Sequence, residues 1–144
     1  MTRSRCAAIT AVLLLGGCRK PVPPFASVVV GDLRIDHGFA FEPITAASGA
    51  AYFRIHNNGT VPDTVLEASS PTARSASFHG SSMAQLDVLE IPPGGEVELK
   101  PGATHLMLTN FGNPPRAGDS LPVTLKFARA GVVTLQLPVR RYGQ

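Results

Sequence analysis

Only two cysteines occur among the 144 residues, Cys6 and Cys18, and both lie at the extreme N-terminal end. From residue 19 onward there is no thiol, which excludes a disulfide-stapled fold, a cysteine-based zinc site and a blue-copper centre, since the last needs an equatorial thiolate. Charge is scarce as well, at 16% of residues. Two of the thirteen basic residues are Arg3 and Arg5; beyond residue 17, eleven basic side chains face ten acidic ones, too even a balance for a nucleic-acid footprint. No apolar run approaches the roughly 18 residues of a membrane-spanning helix. The signatures H-E-x-x-H, a phosphate-cradling glycine loop and G-x-S-x-G are also missing. What the chain does have is 44% hydrophobic residues with 14 glycines and 13 prolines, the profile of one turn-rich globular domain.

The N-terminal end reads as an export signal. Arg3 and Arg5 precede the apolar run Ala7 to Leu15, and Gly16-Gly17 precede Cys18, giving a basic region, an apolar region of about nine residues and small residues at a cleavage point. Leu15-Gly16-Gly17-Cys18 resembles a bacterial lipobox, in which the cysteine is acylated and becomes the first mature residue. The implied division is a signal peptide over residues 1–17, a lipidated Cys18 with a Pro-rich tether over residues 18–27, and a folded domain over residues 28–144. Three prolines within residues 19–27 favour an extended polyproline spacer with a reach of about 28 Å. Arg19 after the cysteine points, by resemblance to Gram-negative lipoproteins, to the outer membrane on its periplasmic side.

From Val28 onward, short apolar or alternating runs are broken by turn residues, with no sustained helical period. Strands are expected near residues 28–36, 49–56, 62–69, 74–79, 83–90, 95–100, 103–109, 121–129 and 131–139. Asn57-Asn58-Gly59, Pro92-Pro93-Gly94-Gly95, Pro101-Gly102 and Ala130-Gly131 punctuate them. Seven to nine short strands predict an all-β sandwich or small barrel.

The residues that carry chemistry are histidines and methionines. The chain beyond the signal holds Met83 and Met107 with His37, His56, His79 and His105. In Thr104-His105-Leu106-Met107-Leu108 a strand's period of two sends His105 and Met107 to one face and the leucines to the other. His79 and Met83 flank Gly80-Ser81-Ser82, which reads as a three-residue hairpin loop that would set them opposite one another. Two edges of a sandwich brought together would then assemble two imidazoles and two thioethers. Neutral soft donors without thiolate or carboxylate suit Cu(I) rather than zinc, calcium or magnesium. His37 and His56 fit no motif and are expected to be structural. A hydrolase using Ser81 or Ser82 with His79 lacks both a nucleophile elbow and an acid partner.

The spacing Met83-x21-His105-x-Met107 resembles the signature of the PCuAC family of periplasmic copper chaperones, His-x10-Met-x21-His-x-Met. The stretch Gly49-Ala50-Ala51-Tyr52-Phe53-Arg54-Ile55-His56-Asn57, with Gly59 and Asp63, resembles one family block. Leu89 to Gly95 and Glu98 to Gly102 resemble another. The resemblance implies a cupredoxin-like β-sandwich and places His79, Met83, His105 and Met107 at the ligand positions. Only three residues separate His79 from Met83, against ten in the family pattern, so the resemblance is to a variant with a shortened hairpin. It further implies a non-enzymatic, lipid-anchored Cu(I) metallochaperone in the periplasm, delivering copper to the copper centre of a respiratory cytochrome oxidase, directly or beside a Sco-type protein. Both imidazoles must be deprotonated to ligate, so affinity should fall with falling pH. The competing reading is a lipoprotein β-sandwich that serves as an interaction module without metal function.

Overall fold

The computed structural model describes residues 24–143; the segment read as a signal, Cys18 and the stretch read as a tether as far as residue 23 lie outside the described residues. Eleven strands follow in order: β1 Val28–Val30, β2 Leu33–Phe41, β3 Ser48–Asn57, β4 Asp63–Ser69, β5 Ala73–His79, β6 Gln85–Leu86, β7 Leu89–Ile91, β8 Glu96–Glu98, β9 His105–Phe111, β10 Ser120–Phe127 and β11 Val132–Arg140. Among the described residues there is no helix; the all-β class predicted from the turn spacing forms, as the sandwich that the family resemblance implies.

Hydrogen-bonded neighbours run β6-β5-β9-β3-β2-β11-β10-β4-β7, with β1 added to β2 and β8 to β3. One sheet, carrying β5, β9, β3 and β2, meets the other, carrying β11, β10, β4 and β7, along a short parallel seam where Val139 faces Ala40 and Arg140 faces Phe41. The inward residues of both sheets interdigitate as the core. On β9 these are Leu106 and Leu108; on β10 Leu121, Val123, Leu125 and Phe127; on β3 Phe53 and Ile55. Each fully buried leucine of this kind stabilises the fold by about 1.5–3 kcal/mol relative to exposure.

Two expected strands divide differently. Residues 28–36 form not one strand but a hairpin, because Gly31 takes a positive φ of 54° and reverses the chain between Val30 and Leu33; β2 then continues to Phe41. Residues 83–90 also split, since β6 pairs with β5 in one sheet while β7 pairs with β4 in the other. The chain crosses between sheets at Asp87-Val88. Ahead of β1, Phe25 packs beside Leu137 over Gly38, where a Cβ would come within 2.9 Å of the Phe25 ring, so packing against the core already begins within the segment read as tether. Asn57 and Asp63 anchor loops: the Asn57 amide donates to Val61 O and accepts from Gly59 N, and the Asp63 carboxylate accepts from the backbone N–H groups of Thr64, Arg129 and Ala130.

Candidate metal centre

The alternation read from the sequence of β9 holds. Leu106 and Leu108 are completely buried, while His105 and Met107 stand half-buried on the outer face. β5 lies directly beside β9, in antiparallel register that sets His79 opposite His105 and Ser77 opposite Met107. Phe78 turns inward between them, leaving Ser77 and His79 outward. The two imidazole rings stack with centroids 5.8 Å apart and planes inclined by 22°. The expected meeting of two separate sandwich edges is therefore replaced by something simpler. Adjacent strands of one sheet bring His79, His105 and Met107 onto a single outer face.

Met83 departs from expectation. The hairpin does not close across His79 and Met83; His79 pairs with Gln85, and Gly80 N donates to Ala84 O, so the connection is longer than three residues. Met83 sits inside the turn, its N–H bonded to Gly80 O at 2.9 Å, with a φ of 64° and 56% exposure. A non-glycine side chain in this left-handed region carries a strain of order 1 kcal/mol. What ties Met83 to His79 is its backbone: the Met83 carbonyl accepts a hydrogen bond from His79 Nδ1 at 3.0 Å.

These bonds fix the tautomers. A carbonyl can only accept, so His79 Nδ1, facing Met83 O, and His105 Nδ1, facing Ala103 O at 2.9 Å, both carry hydrogen. In the neutral rings the lone pair available to a metal is then on Nε2 in each case. Backbone carbonyls holding the other ring nitrogen are the usual device for orienting metal-binding imidazoles. Among the described residues, no three His, Cys, Asp or Glu side chains gather at one point, so the donor set for a metal on this face depends on the methionine sulfurs.

Beyond Met107 the same face turns aromatic. Phe39, Phe41 and Tyr52 pack within 5.0–5.7 Å of one another. Tyr142, though 70% exposed, stacks on Phe41 at 4.3 Å. With Pro43, Ile44 and Met107, the rings of Phe41, Tyr52 and Tyr142 line a groove of about 230 Å³. Burial, with a contribution from Tyr142, pushes the Tyr52 phenol above its ordinary value. Sequence reasoning missed this groove and Ser77. Ser77 lies two positions before His79 on a strand, a same-face spacing that was available but carried no chemical label.

His37 and His56 stay away from this centre. His37 occupies a bulge in β2 with φ 54° and bonds Asp36 at 2.7 Å; His56 lies between Asp36 at 3.3 Å and Glu96 at 3.0 Å. Burial pushes the Asp36 carboxyl up, but the His37 hydrogen bond and the charges of Arg34, His56 and His37 outweigh it and hold the group below its ordinary value.

The family model described as "Putative lipoprotein LpqE-like" matches residues 33–139. The "Putative lipoprotein Lxx21020" of Leifsonia xyli subsp. xyli is 29% identical over 155 residues, covering 98% of this chain and 92% of its own. Among solved structures, the copper-bound PCuAC domain from PmoF2 superposes with a TM-score of 0.75 at 27% identity, over 81% of this chain and 98% of that domain. The Cu(I) form of DR1885 from Deinococcus radiodurans superposes with a TM-score of 0.66 at 21% identity, over 82% and 83%, which speaks for the fold. The chain belongs to the LpqE-like lipoprotein family, and its domain is a PCuAC-type, cupredoxin-like β-sandwich.

Proposed function

We propose that this protein is a lipid-anchored Cu(I)-binding metallochaperone that holds copper on the outer face of β5 and β9 and hands it to an acceptor protein. The observation that carries the reading is the direct cross-strand pairing of His79 with His105, both with Nδ1 held by backbone carbonyls and Met107 one step away on the same face. Two imidazole nitrogens and a thioether suit a soft monovalent ion, and Met83 adds a second thioether from the turn. The PmoF2 PCuAC domain, similar in fold and sequence, is a copper-bound one.

Copper is cargo in this scheme, and the chain does no bond-making chemistry. Neutral donors on an open face can be replaced one at a time by incoming thiolates of the acceptor, so the ion passes through mixed-ligand states without release. Cys18 is the anchor, and the Pro-rich segment after it keeps the domain within reach of a membrane-bound acceptor on the periplasmic side, with the outer membrane the finer assignment. The family resemblance names that acceptor as the copper centre of a respiratory cytochrome oxidase or a Sco-type protein serving it.

The test is a competition titration of the purified protein with Cu(I) under reducing conditions, read alongside its native mass. One tightly held ion, with affinity lowered at least tenfold in Met107→Leu and in His105→Ala, is the expected result. A protein that holds no ion, or variants that bind as tightly as the parent, would leave the interaction-module reading in its place.

A further inference from the structure

The two candidate imidazoles are not equivalent. His105 Nδ1 is held by Ala103 O, and its Nε2 has no hydrogen-bond partner among the described residues. His79 is engaged at both nitrogens: Nδ1–H donates to Met83 O, and Nε2 lies 3.0 Å from Ser77 Oγ. Since the Met83 carbonyl assigns the ring hydrogen to Nδ1, Nε2 of the neutral ring is an acceptor and the Ser77 hydroxyl is the donor. The register explains why this serine turns to the histidine. Ser75, one same-face step earlier, faces Thr109 and bonds its hydroxyl at 2.6 Å. Ser77 faces Met107, whose thioether is a weak acceptor, and so its hydroxyl finds His79.

We propose that Ser77 is a positioning residue that caps the copper-binding nitrogen of His79, making His79 the last ligand to engage the ion and the first to let it go. This rests on the copper-site reading above and deepens it. The lone pair that would bind copper is occupied by the Ser77 hydroxyl, so ligation by His79 requires that hydrogen bond to break. His105 and Met107 need no such rearrangement. During handover the hydroxyl recaptures the vacated nitrogen, opening one coordination position to the acceptor while the remaining donors still hold the ion. Ser77 thereby trades affinity for ease of release.

The experiment is Cu(I) competition against a chromophoric chelator, at equilibrium and by stopped flow, with the full chain and three variants. Ser77→Thr keeps a hydroxyl on the strand; Ser77→Val is its near-isostere without one; Ser77→Ala removes the hydroxyl with least bulk. The expected result is Cu(I) held about fivefold more tightly in both the Val and Ala variants, the size of one net side-chain hydrogen bond, with slower release to chelator, while Ser77→Thr stays near the parent. Val or Ala variants that bind equally or more weakly than Thr overturn the capping role. His105→Ala is the control that separates the two claims: if it leaves parental Cu(I) affinity intact, the copper-site reading itself fails, whereas its loss of affinity together with silent Ser77 variants removes only the cap.

Discussion

At Met83, a candidate ligand, copper binding and local stability would make opposite demands. Its left-handed φ of 64° is one that glycine adopts freely, so Met83→Gly should raise the stability of the fold by about 0.5–1 kcal/mol relative to Met83→Ala. The same substitution should weaken Cu(I), because the turn's only sulfur is gone. Denaturant titration of the two variants checks the first half, and copper competition the second; a Gly variant less stable than Ala would mean that the turn relaxes without strain. His105 and Met107 were legible from sequence because a strand's period of two leaves no freedom once Leu106 and Leu108 are buried. Met83 was legible as a candidate but not in position, because the turn's length is set by the Gly80–Ala84 backbone bond and by a non-glycine residue in a region that sequence rules reserve for glycine. Ser77 became visible only when the β5–β9 register placed it against a thioether.

Among the elements, β9 joins the core to the candidate centre, presenting leucines to one and His105 and Met107 to the other. Leu106→Ala should cost about 2–5 kcal/mol in denaturant unfolding through the cavity it leaves, and in doing so loosen the strand from which two donors project. Outward-facing Thr109→Val on the same strand should change stability by less than about 1 kcal/mol, losing only an exposed hydroxyl pair with Ser75. Equal losses for the two would contradict the division of faces. Strand existence followed from alternation and turn residues, but strand partnership did not. Residues 83–90 look continuous in sequence because both halves are apolar, and only the tertiary pairing shows that Leu86 and Leu89 belong to different sheets. The extension of β2 to Phe41 was hidden by the His37-Gly38 bulge.

At the level of the whole molecule, charge is organised along β2, β3 and β8 rather than around the candidate centre. Hydrogen bonds from Lys100 and Arg54 hold the Glu98 carboxyl below its ordinary value, as His37 and the neighbouring charges hold Asp36 despite its burial. A depressed carboxyl stabilises the folded state above the unfolded-state value of roughly 4, and that stabilisation disappears as pH falls through the lower folded value. Thermal stability should therefore decline from about pH 4 downward, with a shallower decline in Asp36→Asn; a parent as stable at pH 2.5 as at pH 6 would contradict this. The all-β class and the PCuAC resemblance were readable from spacing and blocks of residues, whereas the aromatic groove was not, because Phe41, Tyr52 and Tyr142 converge only after β11 docks in parallel beside β2.

The central claim is that thioether sulfur and imidazole nitrogen on one outer sheet face together hold a monovalent copper ion. X-ray absorption at the copper edge of the Cu(I)-loaded protein tests it most directly, comparing the parent with Met107→Leu. The account predicts mixed sulfur and nitrogen coordination in the parent and a reduced sulfur contribution in the variant. A parental shell of nitrogen and oxygen alone, or a sulfur contribution unchanged by the substitution, would contradict it.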